Sequence, residues 1–300
     1  MKALQKTAIS AAAVALLTGL TSVAAFAEEA AAPEVSPITA NVTVVNDYRY
    51  RGMTQSNFKP AIQGGFDYAH ESGFYVGNWN SSISWISDGN PAGQSSTYGS
   101  AVSAPIEMDF YGGFKKELIA EGFASDIGVL QYYYPTSGLR TLPQNSTNCN
   151  GAGRNACGTV PNTTEAYLAQ NFTFGSVTGF AKVSYALSDL FGIYNSKGSY
   201  YPDLTANYDT GVFGLTVNGH VGYQGVTNTQ TVSGVKYNFS YTDWKLGVTK
   251  DFGGGLSGAL AYVGTTQPKA AGSYLWYSPN HATTQSQGKA GGLISLTKTF

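Results

Sequence analysis

Charged side chains recur two positions apart within several otherwise apolar segments of this 300-residue chain. Arg49 and Arg51 form one such pair, and Glu107 and Asp109 form another. Because positions i and i+2 of a β-strand face the same side, each pair would share one face of a sheet. A charged face is typical of a pore lining that selects solutes. It is equally typical of an ion-pair network that fills a narrow barrel, and both interpretations stay open.

Alternation assigns a larger set of ionisable residues to this inner face. On a lipid-facing surface near the midplane, an Arg or Lys would cost ~2–4 kcal/mol. On the inner face the acids outnumber the bases by eight to five, which predicts a pore with a weak preference for cations. Arg49 and Arg51 are expected either to line a constriction facing Glu107, Asp109 or Asp203, or to form structural ion pairs. The acids are Asp47, Asp67, Glu107, Asp109, Glu165, Asp203, Asp209 and Asp243; the bases are Arg49, Arg51, Lys115, Lys182 and Lys245; His220 completes the set.

The histidines do not favour enzyme or metal chemistry. His220 shares its face with polar neighbours and is expected to be hydrogen-bonded inside, whereas His70 and His281 fall in a turn and a loop. Nothing matches the spacing of a metal cluster. A barrel phospholipase is the least favoured alternative, because it needs a Ser and a His together on the outer surface. No Gly-x-Ser-x-Gly element occurs either. We therefore expect a protein that is not an enzyme, with no catalytic residues and no cofactor.

The elements that must position these side chains are β-strands. Residues 213–224, FGLTVNGHVGYQ, are apolar at odd positions and polar at even ones, so the two faces see different solvents. Phe213 and Tyr223 close the apolar face at its two ends, as strands do at two membrane interfaces. The first such segment would place Val44, Tyr48 and Tyr50 outward. The twelve predicted strands are 40–51, 59–70, 73–84, 105–116, 122–134, 163–174, 176–188, 198–210, 212–224, 239–252, 256–265 and 288–300.

The connections between these segments alternate between short and long. Five are tight turns, while the others run over 52–58, 85–104, 135–162, 189–197, 225–238 and 266–287. An even strand count with short turns on one side is the pattern of outer-membrane proteins. Only 12% of the residues are charged, about half the usual share in soluble domains. The sequence thus predicts an all-β fold, a transmembrane antiparallel up-and-down β-barrel of about 12 strands, with ten or fourteen as alternatives.

The chain ends carry export signals. Residues 1–27 read as a secretory signal peptide, with a basic start, a short apolar run and an Ala-Phe-Ala cleavage site. Residues 28–39 are rich in Ala, Pro and Glu and predict a flexible periplasmic segment, which leaves 40–300 for the barrel. The terminal Phe300 resembles the signal read by the barrel-assembly machinery. We expect the bacterial cell outer membrane as location, with membrane lipid and lipopolysaccharide as partners. The mature net charge near −3 gives no reason to expect nucleic acid.

The two cysteines, Cys149 and Cys157, lie in a run without strand character, NSTNCNGAGRNAC. An oxidising compartment favours a disulfide between them, which would close a small surface loop. Two independent free thiols are the alternative.

The opening of the mature chain resembles a known family. Asp47 to Gly52, Thr54-Gln55, Lys59-Pro60-Ala61 and Gly64 to Tyr68 are similar to the first hairpins of the proteobacterial TorF-like putative porins. This resemblance implies a barrel in the outer membrane of a Gram-negative cell, with a transport role and no assigned site residues. We therefore expect a porin that passes small hydrophilic solutes or ions. The alternatives are a plugged structural barrel and a receptor or adhesin that uses its long surface loops.

Overall fold

The computed structural model describes residues 36–88, 102–139, 160–232, 234–270, 272–276 and 285–300. The predicted signal peptide and both cysteines lie outside these ranges. Within the described residues, twelve antiparallel strands close into one barrel, in which chain neighbours pair and the last strand pairs with the first. They are β1 (Ile38–Val45), β2 (Ala61–Ala69), β3 (Phe74–Ser82), β4 (Ile106–Ala120), β5 (Phe123–Tyr133), β6 (Thr163–Phe174), β7 (Val177–Ala186), β8 (Tyr200–Asp209), β9 (Leu215–Gln224), β10 (Tyr241–Gly253), β11 (Leu256–Thr265) and β12 (Gly291–Thr299).

The remaining elements are small and all belong to the long connections. No helix in the described ranges is long and apolar enough to cross a membrane. The small elements are a four-residue helix, Trp85–Asp88, and three two-stranded hairpins: Arg49–Tyr50 with Met53–Thr54, Thr229–Val232 with Val235–Asn238, and Lys269–Ala270 with Ser273–Tyr274.

The predicted fold and strand count are confirmed. Strands β6 and β11 have the predicted bounds, and the short turns all lie at one end of the barrel, which we call the short-turn end. The prediction for the first strand is wrong. That strand begins at Ile38 and leaves the wall after Val45, rather than running from 40 to 51.

Residues 46–60 fold into the barrel instead of continuing its wall. Arg49–Tyr50 pairs with Met53–Thr54 across a turn in which Arg51 and Gly52 have φ angles of 45° and 74°. We call residues 49–54 the inner hairpin. A Cβ at Gly52 would lie 2.5 Å from the Thr265 side chain, so only glycine lets the hairpin tip approach the wall this closely. Consequently Tyr48 is buried and Tyr50 half-buried, and neither faces outward as alternation predicted.

The outer surface is apolar between two rings of exposed aromatic side chains. Aliphatic residues such as Leu168, Leu246 and Ile294 occupy the band between them. Outward charges on the described wall strands are Lys116, Lys250 and Lys298, all near the short-turn end. At the long-loop end the ring consists of Tyr133, Tyr185, Tyr200, Tyr223, Trp244 and Tyr262. At the short-turn end it consists of Tyr68, Phe74, Phe174, Tyr208, Phe213, Phe252 and Phe300.

The interior divides into two parts. Inside β2–β6, large aromatic side chains form a continuous buried cluster that includes Tyr75, Trp79, Tyr132 and Tyr167. We call this part the filled half. Inside β7–β12 and β1, many inward side chains are small, and they leave a cavity. We call this part the open half.

Candidate functional site

Tyrosines in the filled half lie flat against glycines of the neighbouring strand. Gly77 on β3 pairs with Tyr111 on β4, and a Cβ at Gly77 would stand 2.4 Å from the Tyr111 ring. The glycine therefore makes room for the ring. The Tyr111 hydroxyl donates to Asp67 Oδ1 at 2.6 Å. Tyr75 follows the same arrangement over Gly113, and its hydroxyl donates to Asp126 at 2.7 Å.

Two further carboxylates of the filled half are fully buried. Glu107 accepts a hydrogen bond of 2.7 Å from the Tyr48 hydroxyl. Asp109 has no exposed surface, and its oxygens accept no hydrogen bond within the described residues. Neither acid forms an ion pair with Arg49 or Arg51, so the predicted facing of these groups is wrong.

Arg51 connects the inner hairpin to the barrel wall at the boundary between the two halves. Its guanidinium makes a bidentate contact with Glu165 on β6, at 2.6 and 3.0 Å, and donates to Gln224 on β9 at 2.6 Å. It also stacks 4.1 Å from the centre of the Tyr201 ring. Burial opposes the charge of Arg51, but an arginine stays protonated in proteins, and the bidentate Glu165 carboxylate compensates its charge. Arg51 is therefore a fixed positive charge inside the barrel.

Arg49 has a different environment from Arg51. Its Nε contacts Asp47 Oδ2 at 2.5 Å, and its Nη1 donates to the backbone carbonyls of Gly52 and Lys289, both at 3.0 Å. Asp47 also accepts from the Thr54 hydroxyl at 2.5 Å. These bonds tie the hairpin to the last long connection. Arg49 thus supports the hairpin, rather than forming with Arg51 the expected paired constriction.

His220 brings together the two carboxylates of the open half. Its Nδ1 lies 3.0 Å from Asp203 Oδ1, and its Nε2 lies 2.8 Å from Asp243 Oδ2. Thr205 and Tyr201 hydroxyls complete the imidazole contacts at 3.0 and 3.1 Å. Tyr201 also donates to Asp243 at 2.9 Å. Both acids are therefore oriented toward one imidazole.

A cavity of about 120 Å³ lies between the inner hairpin and the wall of the open half. One side is charged and belongs to β7–β10, while the other is apolar and belongs to β11, β12 and β1. The charged side consists of Lys182, Asp203, His220, Asp243 and Lys245. The apolar side consists mainly of Val45, Ala259, Ala261, Val263 and Leu293, and Ser295 lies among them, paired with Val45 and Ala259.

The predicted lining residues separate between the two halves. The cavity is lined by Asp47, Arg49, Arg51, Lys182, Asp203, His220, Asp243 and Lys245. Away from it are Asp67, Glu107, Asp109, Lys115 and Glu165 in β2–β6, and Asp209 at the short-turn end, where it accepts from the Gly211 amide. In the described ranges, no group of three or more His, Cys, Asp or Glu residues is arranged to hold a metal ion.

Sequence reasoning missed the tyrosines, Gln224 and the apolar side of the cavity. A signal for the tyrosines is present in YVGNW and YGGFK, where Tyr and Gly alternate on the inward register of adjacent strands. The apolar side carries no comparable signal, since Ala259, Ala261 and Val263 alternate with outward residues that are equally apolar.

Comparison with known proteins places the chain in a family. The family described as "Bacterial protein of unknown function (Gcw_chp)" matches residues 27–300. The chain belongs to this family. The narrower TorF-like label is not supported by this match and stays a prediction. No curated protein matches the chain.

Several solved barrels are similar to this member of the family. The NanC porin shares 8% identity, covering 88% of this chain and 98% of its own, with a TM-score of 0.48. The KdgM porin shares 6% identity over the same coverage, with a TM-score of 0.47. The Pseudomonas putida toluene transporter TodX shares 9% identity, covering 89% and 88%, with a TM-score of 0.45.

Proposed function

We propose that the protein is an outer-membrane channel that passes small hydrophilic solutes or ions through the open half of its barrel. The cavity beside the charged wall of β7–β10 carries this proposal, because a charged, water-accessible interior is what a solute path requires. The outer surface of the barrel supports a location in the outer membrane. An apolar band between two aromatic rings matches the lipid-facing side of a transmembrane barrel.

The orientation and export route belong to the same proposal. Residues 1–27 would direct the chain across the inner membrane, and Phe300 would present the assembly signal. Phe300 is exposed on the outward register of β12 with Leu296 and Ile294, where another protein can reach it. The start of β1 and Phe300 lie at the short-turn end, which we place in the periplasm.

The filled half changes the expected selectivity. Apart from Asp109, the acids predicted to line the pore from this half accept hydrogen bonds from tyrosine hydroxyls or from Arg51, and none of these acids lines the cavity. Around the cavity itself, Arg49, Arg51, Lys182 and Lys245 stand against Asp47, Asp203 and Asp243, a ratio of four to three. We therefore replace the expected cation preference with weak selectivity set by the wall of the open half.

Electrical recording on refolded full-length protein tests the channel. Folded protein is first identified by the different gel mobility of boiled and unboiled samples, and then inserted into planar lipid bilayers. Discrete conductance steps in KCl are expected. Folded protein that inserts but conducts nothing would favour the plugged structural barrel and contradict the proposal. Vesicles that bind the protein only at their surface would contradict the membrane-spanning location.

A further inference from the structure

Lys182 is the charged group of the cavity whose pairing differs from that of its neighbours. It points inward from β7 and lines the cavity. Within the described residues it makes no hydrogen bond or ion pair. Its Nζ lies 5.8 and 5.9 Å from the ring centres of Phe180 and Tyr167. Lys182 therefore lines the cavity beside two aromatic rings, without a hydrogen-bonded acceptor among the described residues.

The acid nearest in register to Lys182 forms its hydrogen bonds with other residues. Asp203 is the cross-strand partner of Lys182, but its Oδ1 contacts His220 Nδ1 at 3.0 Å and accepts from Thr205 at 3.1 Å. Asp243 also faces His220. The two carboxylates of this wall thus converge on one imidazole. Asp203 is still close enough to Lys182 for an electrostatic interaction, but neither acid forms a hydrogen bond with it, so the ammonium group has room for a further acceptor.

The opposite side of the cavity is mostly apolar over three adjacent strands, and Ser295 is the polar residue among the cavity-lining residues of β1, β11 and β12. Val45, Ala261, Val263 and Leu293 belong to β1, β11 and β12, and Val263 is 3% exposed. The interiors of water-filled barrels are normally polar. Such a surface favours a solute that carries a hydrocarbon group as well as a polar one, because the hydrocarbon group gains free energy when it is removed from water.

We infer that the cavity binds small amphiphilic carboxylic acids, with the carboxylate at Lys182 and the aliphatic or aromatic part against the apolar side. This inference rests on the proposed channel and names the class of solute for it. An ammonium–carboxylate contact is a charge-assisted hydrogen bond, roughly twice as strong as a neutral one. An apolar cavity of about 150 Å³ accommodates a benzene ring, so a volume of about 120 Å³ fits an acid with a short chain.

Calorimetric titration of the refolded full-length barrel in detergent tests this inference. The probes are hexanoate, acetate and hexylammonium. Hexanoate should bind at least about tenfold more tightly than acetate, because burying even two CH₂ groups is worth about 1.6 kcal/mol. Hexylammonium, which has the same chain and the opposite charge, should show no saturable binding.

Variants distinguish the contribution of the Lys182 charge to binding from that of the apolar side. Lys182→Met should weaken hexanoate binding by at least about tenfold, and Lys182→Arg should retain most of it. Lys115→Met is the matched control, since Lys115 also points inward but lies on β4, away from the cavity, and should leave binding unchanged. Val263→Thr keeps the side-chain shape, and it should weaken hexanoate binding while leaving acetate binding unaffected.

The outcomes distinguish this inference from the channel proposal. Equal affinity for hexanoate and hexylammonium, or equal loss in Lys182→Met and Lys115→Met, would overturn the inference even if the barrel conducts KCl. Saturable, Lys182-dependent binding to a barrel that does not conduct would support the site and overturn the channel. If Lys182→Met does not refold, the affinities of the wild type for the three probes and the hexanoate affinity of Val263→Thr still test the inference.

Discussion

The filled half and the open half use the same strand geometry with inward residues of different size. In β2–β6, rings such as Tyr75, Trp79 and Tyr111 occupy the interior. In β11 and β12, inward residues such as Ala261 and Ser295 leave space beside the charged wall. A twelve-stranded barrel lies between the small barrels that side chains fill and the large ones that hold a channel. In this chain, side chains fill one half of the barrel, and the other half contains the cavity.

The halves also differ in how they hold buried acids. In the filled half, Asp67, Glu107 and Asp126 accept hydrogen bonds from tyrosine hydroxyls, which are neutral donors on neighbouring elements. In the open half, Asp203 and Asp243 face a histidine that can carry charge. Neutral donors satisfy an acid without leaving a cation for a solute to meet. Charge that can interact with a solute is therefore concentrated in the open half.

The largest effect on conductance is expected when a large side chain fills the cavity of the open half. Ala261→Phe adds a ring on the apolar side of the cavity, so KCl conductance should fall by more than half. Leu246→Phe is the matched control, since Leu246 on the neighbouring strand β10 faces outward, 62% exposed, and does not line the cavity, so conductance should not change. Equal conductance in both variants would mean that ions do not cross beside β11.

The boundary between the halves should control ion preference. Arg51→Met leaves Glu165 buried without its cation, so the reversal potential in a KCl gradient should shift toward cations. Glu165→Gln should shift it toward anions, and the double variant should lie near the wild type. Each single change breaks a buried ion pair and should lower the free energy of unfolding by about 3–5 kcal/mol.

Arg49 provides the control for the Arg51 and Glu165 variants. It lies on the same hairpin, but it bonds Asp47 and backbone carbonyls rather than a wall carboxylate. Arg49→Met should therefore shift the reversal potential less than Arg51→Met. Equal shifts would show that the hairpin as a whole, rather than the Arg51–Glu165 pair, sets ion preference.

The fold could be predicted from the sequence because two local signals agree. Alternation with period two defines each wall strand, and short turns recur at every second connection. Both signals depend on neighbouring residues only. They fail at residues 46–51, where YRYR still alternates but the chain turns inward at Arg51 and Gly52. The reason is tertiary, since the hairpin is held by Glu165, Gln224 and the Lys289 carbonyl.

The candidate site was only partly predictable. Alternation identifies the inward face of Lys182, Asp203 and His220, but it does not show which inward residues share a cavity. That depends on ring positions across the barrel, such as Tyr111 over Gly77. Counting every inward charge equally gave a cation preference, and this count included acids of the filled half that do not line the cavity.

A smaller effect is expected from disturbing one ring in the filled half. Gly77→Ala would displace Tyr111 and break its bond to Asp67, lowering the free energy of unfolding by about 1–3 kcal/mol. Gly291→Ala is the matched control in the open half, where the nearest atom to an added Cβ is 3.6 Å away, an ordinary contact. Urea unfolding followed by gel mobility measures both. Equal destabilisation would mean that the filled half is not packed more tightly than the open half.

The smallest effect should come from a change that touches neither half. Cys149 and Cys157 lie outside the described residues, between β5 and β6, and we predict a disulfide between them. Mass spectrometry of non-reduced protein should show the linked peptide, whereas two alkylated thiols would contradict the bond. Cys149→Ser/Cys157→Ser removes only a short-range constraint. Its conductance should therefore match the wild type, and its urea midpoint should change less than that of Gly77→Ala. A larger change would show that this connection contributes to the barrel interior.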